Sequence, residues 1–182
     1  MSMSMTMMSS FVQELGIPFR CLSTSETCKA YRAYQAANFE IGCQYESVQA
    51  QIAAHKRVKS EGESEDVDLL VIGTPCAPFS CMQGKRFHKE SVNQHAAYDL
   101  TFRHIYEAAQ TFEPAALVME QSAGFQLKVH SETTETPLNT FLDGFKALPF
   151  QKGGYWIIKL DMDMSIWANI SRSRPANSQS AR

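Results

Sequence analysis

The segment Val67-Asp68-Leu69-Leu70-Val71-Ile72-Gly73-Thr74-Pro75-Cys76-Ala77-Pro78-Phe79-Ser80 passes from an apolar run into a turn stiffened by two prolines. A short aliphatic run bounded by glycine and proline reads as a strand. Val67 to Ile72 is apolar enough for a parallel sheet covered on both faces. Proline fixes φ, so Pro75 and Pro78 restrain the backbone on either side of Cys76. Open α/β sheets bind their ligands beyond the carboxyl ends of the strands. The segment therefore predicts a thiol, Cys76, presented as a nucleophile at that rim.

Upstream, Gly16 closes a short helical piece, Phe11 to Leu15, in the manner of a helix C-terminus. Pro18 to Ser23 reads as extended. Thr24 or Ser25 can cap a helix running to Asn38, with Ala30, Tyr34 and Ala37 on one face. A second helix is expected from Val48 to Val58, then a charged connection from Lys59 to Asp66. Downstream, Asn93 to Thr111 reads as a long helix with Ala97, Leu100, His104 and Ala108 on one side, ended by Pro114. Ala116 to Met119 is the next strand, and Glu120 sits at its carboxyl end. Leu138 to Leu148 is helical, with Phe141, Leu142 and Phe145 as its core face, and Tyr155 to Leu160 reads as a strand. No internal repeat is present. Strands alternating with helices imply an α/β fold with a mostly parallel sheet.

At 182 residues, 44% hydrophobic and 20% charged, the chain has the length and composition of one globular domain. Its formal net charge of −2 lacks the basic footprint of a module held to nucleic acid by phosphate contacts alone. An enzyme that borrows contacts from another segment stays compatible with it. Cys21, Cys28, Cys43, Cys76 and Cys81 are odd in number and form no Cys-x-x-Cys pair, which fits a reducing compartment better than a disulfide framework. The histidines show no zinc spacing against them, so no metal is expected. The Met-Ser start has neither a basic n-region nor a long apolar h-region, and no transmembrane span is seen. An intracellular location is expected, nuclear in a eukaryote and cytoplasmic in a prokaryote.

Cys76 and Glu120 both end strands on the same rim. A thiol attacks once its pKa is lowered, and a carboxyl in an enclosed pocket tends to keep its proton. Together they suit addition to an electrophilic ring, with thiolate attack on one atom and proton donation to another. An inert buried thiol is the commoner reading of a lone cysteine. A cysteine phosphatase would want an arginine where Met82 stands, and a thiol hydrolase would need a partnered histidine that neither His88 nor His95 clearly supplies.

These residues resemble the cytosine-5 DNA methyltransferase family. Its nucleophile motif, Pro-Cys followed by two residues and Phe-Ser, is matched by Pro75-Cys76-Ala77-Pro78-Phe79-Ser80. Gln83-Gly84-Lys85-Arg86 looks like its Gly-Lys-Arg catalytic-loop segment. Val118-Met119-Glu120-Gln121-Ser122 sits where the family carries Glu-Asn-Val, and Arg172-Ser173-Arg174 resembles the end of its Gln-x-Arg-x-Arg motif. Gly16 to Phe39 is similar to the segment with the acid that holds the cofactor ribose, here Glu26. The resemblance implies a Rossmann-like, S-adenosylmethionine-dependent methyltransferase sheet and methyl transfer to C5 of cytosine in DNA through a covalent Cys76 adduct. Glu120 would bind the base edge, Arg174 the ring carbonyl with Arg172 in support, and Glu26 the cofactor. The target base would be flipped out of the duplex, and the loop from Cys81 to Asn93 would close over it with Gly84 as a flexible point.

The pattern also departs from the family. No glycine precedes Gly16, so the first strand and its Gly-rich cofactor turn are expected to be missing. Gln121-Ser122 replaces Asn-Val, Ile170 stands for the motif's glutamine, and the target-recognition region is expected to be missing after Arg174. The expected organisation is an atypical terminus over 1–10, a partial catalytic domain over 11–174 with an incomplete S-adenosylmethionine pocket, and a tail over 175–182. Weak or no activity is expected of the isolated chain. A tRNA cytosine-5 methyltransferase and a non-catalytic interaction protein derived from the fold are the alternatives.

Overall fold

The computed structural model describes residues 14–63 and 65–161. In chain order its elements are β1 (Cys21–Ser25), α1 (Lys29–Asn38), β2 (Ile41–Tyr45), α2 (Val48–Ser60), β3 (Leu69–Gly73), α3 (Tyr98–Phe112), β4 (Ala116–Glu120), a 3₁₀ turn (Ala123–Gln126) and α4 (Pro137–Lys146). Every strand pair is parallel, as the alternation of strands and helices implies. Among the described residues the strands nevertheless form two sheets of two, β1 with β2 and β3 with β4, rather than one continuous sheet.

Local sequence explains most element ends. Ser47 caps α2 by accepting from the Ala50 N–H at 3.1 Å. Thr136 caps α4 through the Asn139 N–H at 3.1 Å, and Pro137 opens that helix where its missing N–H costs nothing. Glu113 ends α3 in the left-handed region at φ 39°, and Pro114 forbids continuation.

The core lies from α2 onward. Phe79, Phe102, Phe125, Phe141 and Phe145 form its larger cluster, with Ile105, Val92 and Val129. Ile52, Ala108 and Phe112 form a smaller one between α2 and α3, against Leu70 and Ile72 of β3. Helix α2 also touches β1 and β2, and Gln51 donates to Ser23 Oγ at 2.7 Å, so it links the two sheets.

Several expectations are corrected. The helix expected from Thr24 begins at Lys29, because Cys21–Ser25 is committed to the β1 ladder. Its predicted face points outward: Tyr31 and Tyr34 are exposed, and the buried residue is Gln35. Strand β2 carries no expectation from sequence; within it Gly42 allows close approach, since a Cβ there would meet the Leu22 carbonyl oxygen. Among the described residues the β3–β4 sheet is covered on one face only, with Val71 and Val118 exposed on the other. Tyr155 to Leu160 joins no ladder among the described residues, and Trp156 is 100% exposed. An apolar run becomes a strand only where a partner edge is in reach. Residues 1–13 and the tail from Ile170, including Arg172 and Arg174, fall outside the described residues.

Candidate active site

Strands β3 and β4 run in register from Leu69 with Ala116 to Gly73 with Glu120. This pairing brings the turn after β3 and the carboxyl end of β4 to one rim. Cys76, three residues past the ladder, is exposed, as is Glu120. The side chain of Gln121 donates to Thr74 Oγ1, tying the two strand ends together, and Gln121 Oε1 accepts from the Ser122 N–H at 3.1 Å. The enclosure expected around the carboxyl is not formed by the described residues.

The turn divides its labour. Phe79 is 0% exposed and packs edge-on against Phe125 at 4.8 Å between centroids, while Pro78 is also fully buried. The Phe79 N–H donates to the Cys76 carbonyl at 3.0 Å, closing the turn. Two buried rings thus anchor the segment and leave the thiol outside. This separates Cys76 from an inert core cysteine.

The segment after Ser80 runs as successive tight turns, from Gln83 N–H on Ser80 O at 3.1 Å to Ser91 N–H on His88 O at 3.2 Å. Gly84 is open to solvent. The segment is not a free flap, because Arg86 is 1% exposed and Val92 is buried in the core. The resemblance places Lys85-Arg86 in a catalytic loop, and composition alone would leave both solvated. Lys85 is exposed, but Arg86 donates to backbone carbonyls of Phe79, Gly124, Leu127, Lys128 and Val129. Burial pushes its pKa below that of a free guanidinium, with the Cys81 thiol opposing. Gly124 is the second residue that sequence reasoning missed: a Cβ there would run into the Phe79 carbonyl. Its only signal is a glycine closely following a strand end.

Glu26 lies one residue past β1, far along the chain from Cys76, and is buried. Its Oε1 accepts from the Cys28 N–H at 2.8 Å and from Thr27 Oγ1 at 3.5 Å, so that oxygen serves the turn into α1. Thr24 Oγ1, two residues earlier, is buried without a hydrogen-bond partner among the described residues. The two cavities described, of about 170 and 320 Å³, are bordered by Glu113, Phe150 and Tyr155 and by Lys56, Glu107 and Gln110. Neither includes Cys76, Glu120 or Glu26.

Residues 8–145 match the family of C-5 cytosine-specific DNA methylases, a span that contains the nucleophile turn, Arg86 and Glu120. The chain belongs to that family. The methylase match stops before Arg172 and Arg174. Comparison with curated proteins and with solved structures gives no match. The methylase family implies S-adenosylmethionine as methyl donor. The described residues do not by themselves fit that group: half of the Glu26 carboxylate is committed to its own turn, and no glycine-rich turn precedes β1 within them. No helix among the described residues is long and apolar enough to cross a membrane.

Proposed function

We propose that this chain carries the base-attacking half of cytosine-5 methyl transfer on DNA. The observation that supports it most is the β3–β4 register, which puts exposed Cys76 and Glu120 at one rim. In this reading the Cys76 thiolate adds to C6 of cytosine. The C5–C6 π pair moves to C5, which becomes nucleophilic. Glu120 holds the edge at N3 and the exocyclic amine, where charge changes as the ring is attacked. With no methyl donor bound, C5 takes a proton from solvent. Loss of a C5 proton then expels the thiolate and restores the double bond. A base inside a duplex is out of reach of the thiol, so it must leave the stack. Arg174 and Arg172 are assigned to the ring carbonyl, and Glu26 to the donor's ribose, on the family resemblance alone.

We also infer that the two sheets are flanks of one Rossmann-like sheet whose central strand is absent among the described residues. The bridging of both sheets by α2 favours this. It accounts for a base-side inventory that outlasts the donor pocket, and methyl transfer by the chain alone should be weak or nil.

The test is exchange of the cytosine C5 hydrogen of a DNA oligonucleotide in deuterated water, read by mass spectrometry without any donor. The parent chain should exchange it, Cys76→Ser should not, and Glu120→Gln should slow it by about 10²–10³-fold. Equal exchange by the parent and Cys76→Ser, or none by the parent, defeats the proposal. A non-catalytic binding protein is the second reading, favoured by the split sheet; it predicts oligonucleotide binding with no exchange.

A further inference from the structure

We propose that Arg86 is a positioning residue that fixes the Cys76 turn relative to Glu120, a role that rests on the reading of those two residues as the base-attacking pair. The strand ladder ends at Gly73 and Glu120, and beyond it register no longer controls the chain. Arg86 spans that gap. Its Nε donates to Phe79 O at 3.2 Å, on the nucleophile's own turn. Its Nη1 donates to Lys128 O at 2.9 Å and Val129 O at 3.0 Å, and its Nη2 to Gly124 O at 2.9 Å and Leu127 O at 3.3 Å, all on the stretch that follows Glu120.

A guanidinium carries five donors in a rigid planar fork, and here each one meets a main-chain carbonyl. Among the described residues no carboxylate bonds to it; carbonyl dipoles surround the charge. A buried charge held this way locks two backbone segments together. Gly124 completes the clamp, since only a residue without Cβ lets its backbone lie against the Phe79 carbonyl. A lysine could keep the charge, but its single ammonium cannot reach both sides of the fork. Addition at C6 demands a thiolate aimed within contact distance while the acid grips the opposite edge, and a misplacement of about 1 Å can cost roughly 10²-fold in rate.

The experiment uses the full chain and a DNA oligonucleotide carrying 5-azacytosine. Thiol addition to C6 of that ring moves the C6–N5 π pair to N5, which takes a proton; the covalent adduct, reversible by loss of that proton, is read by its mass as it forms. Arg86→Lys should lower the rate constant of capture at saturating oligonucleotide by about 10²-fold. Oligonucleotide affinity and iodoacetamide labelling of Cys76 should change by less than about threefold, since neither needs the pair aligned. Gly124→Ala, which leaves the guanidinium and displaces the Phe79 carbonyl, should show the same split. Capture by either folded variant at the parent's rate overturns the role of Arg86, as does loss of folding in both, which would mark a purely structural clamp. No capture by the parent overturns the reading of Cys76 itself.

Discussion

At the residue scale, the nucleophile turn places opposite demands on neighbours. Phe79 is fully buried among aromatic rings, whereas Cys76 three positions earlier faces solvent. Phe79→Ala should cost about 3–5 kcal/mol through lost burial and the cavity left behind. Cys76→Ser should shift stability by less than about 0.5 kcal/mol. Urea unfolding of both variants checks this, and a large loss for Cys76→Ser would mean that the thiol packs inside. The motif's spacing made Cys76 and Phe79 legible in advance. The loop resemblance marked Arg86, but neither its buried role nor that of Gly124 was legible, because four of the five carbonyls that Arg86 grips, and the one that Gly124 meets, lie about forty positions away in sequence. Hydrophobic periodicity carries no trace of such partners.

At the element scale, α2 joins the two sheets and carries a titrating group at its packed face. The His55 ring lies edge-on to Phe112 of α3, at 4.7 Å between centroids. Burial, and secondarily the Lys59 cation, hold its pKa below 6.5. The unfolded chain takes up the proton near 6.5 and the folded one resists it, so the unfolded state binds more protons in that window. Stability should be level above about pH 6.5 and fall as pH drops from there toward the depressed folded value. Urea midpoints at pH 7.5 and 5.5 should show a smaller decline in His55→Gln than in the parent. An equal decline in both would show that His55 is not responsible. Helix α2 and its Ser47 cap follow from local pattern. Strand β2 escaped because its apolar residues are few and its burial is shallow.

At the scale of the whole molecule, buried apolar side chains are unevenly shared. Every core residue of the described chain lies at Ile52 or later, while β1, α1 and β2 are held mainly through α2. Regions with few buried contacts open at lower free energy than the core. Native-state hydrogen exchange should therefore release the amides of Cys21–Ser25 and Ile41–Tyr45 well before those of Tyr98–Phe112. Equal protection in both regions would show one cooperative unit.

The sequence by itself determined the family-bearing turn, the parallel α/β alternation, and the placing of Cys76 and Glu120 at the ends of strands, because these depend on local conformational preference and short-range pattern. The tertiary structure alone decided that the described strands pair as two separate sheets, that Tyr155–Leu160 joins no ladder among the described residues, and that Arg86 leaves solvent to grip five carbonyls. Each of those outcomes depends on which distant backbone groups come within hydrogen-bonding reach, and reach is a property of the folded chain.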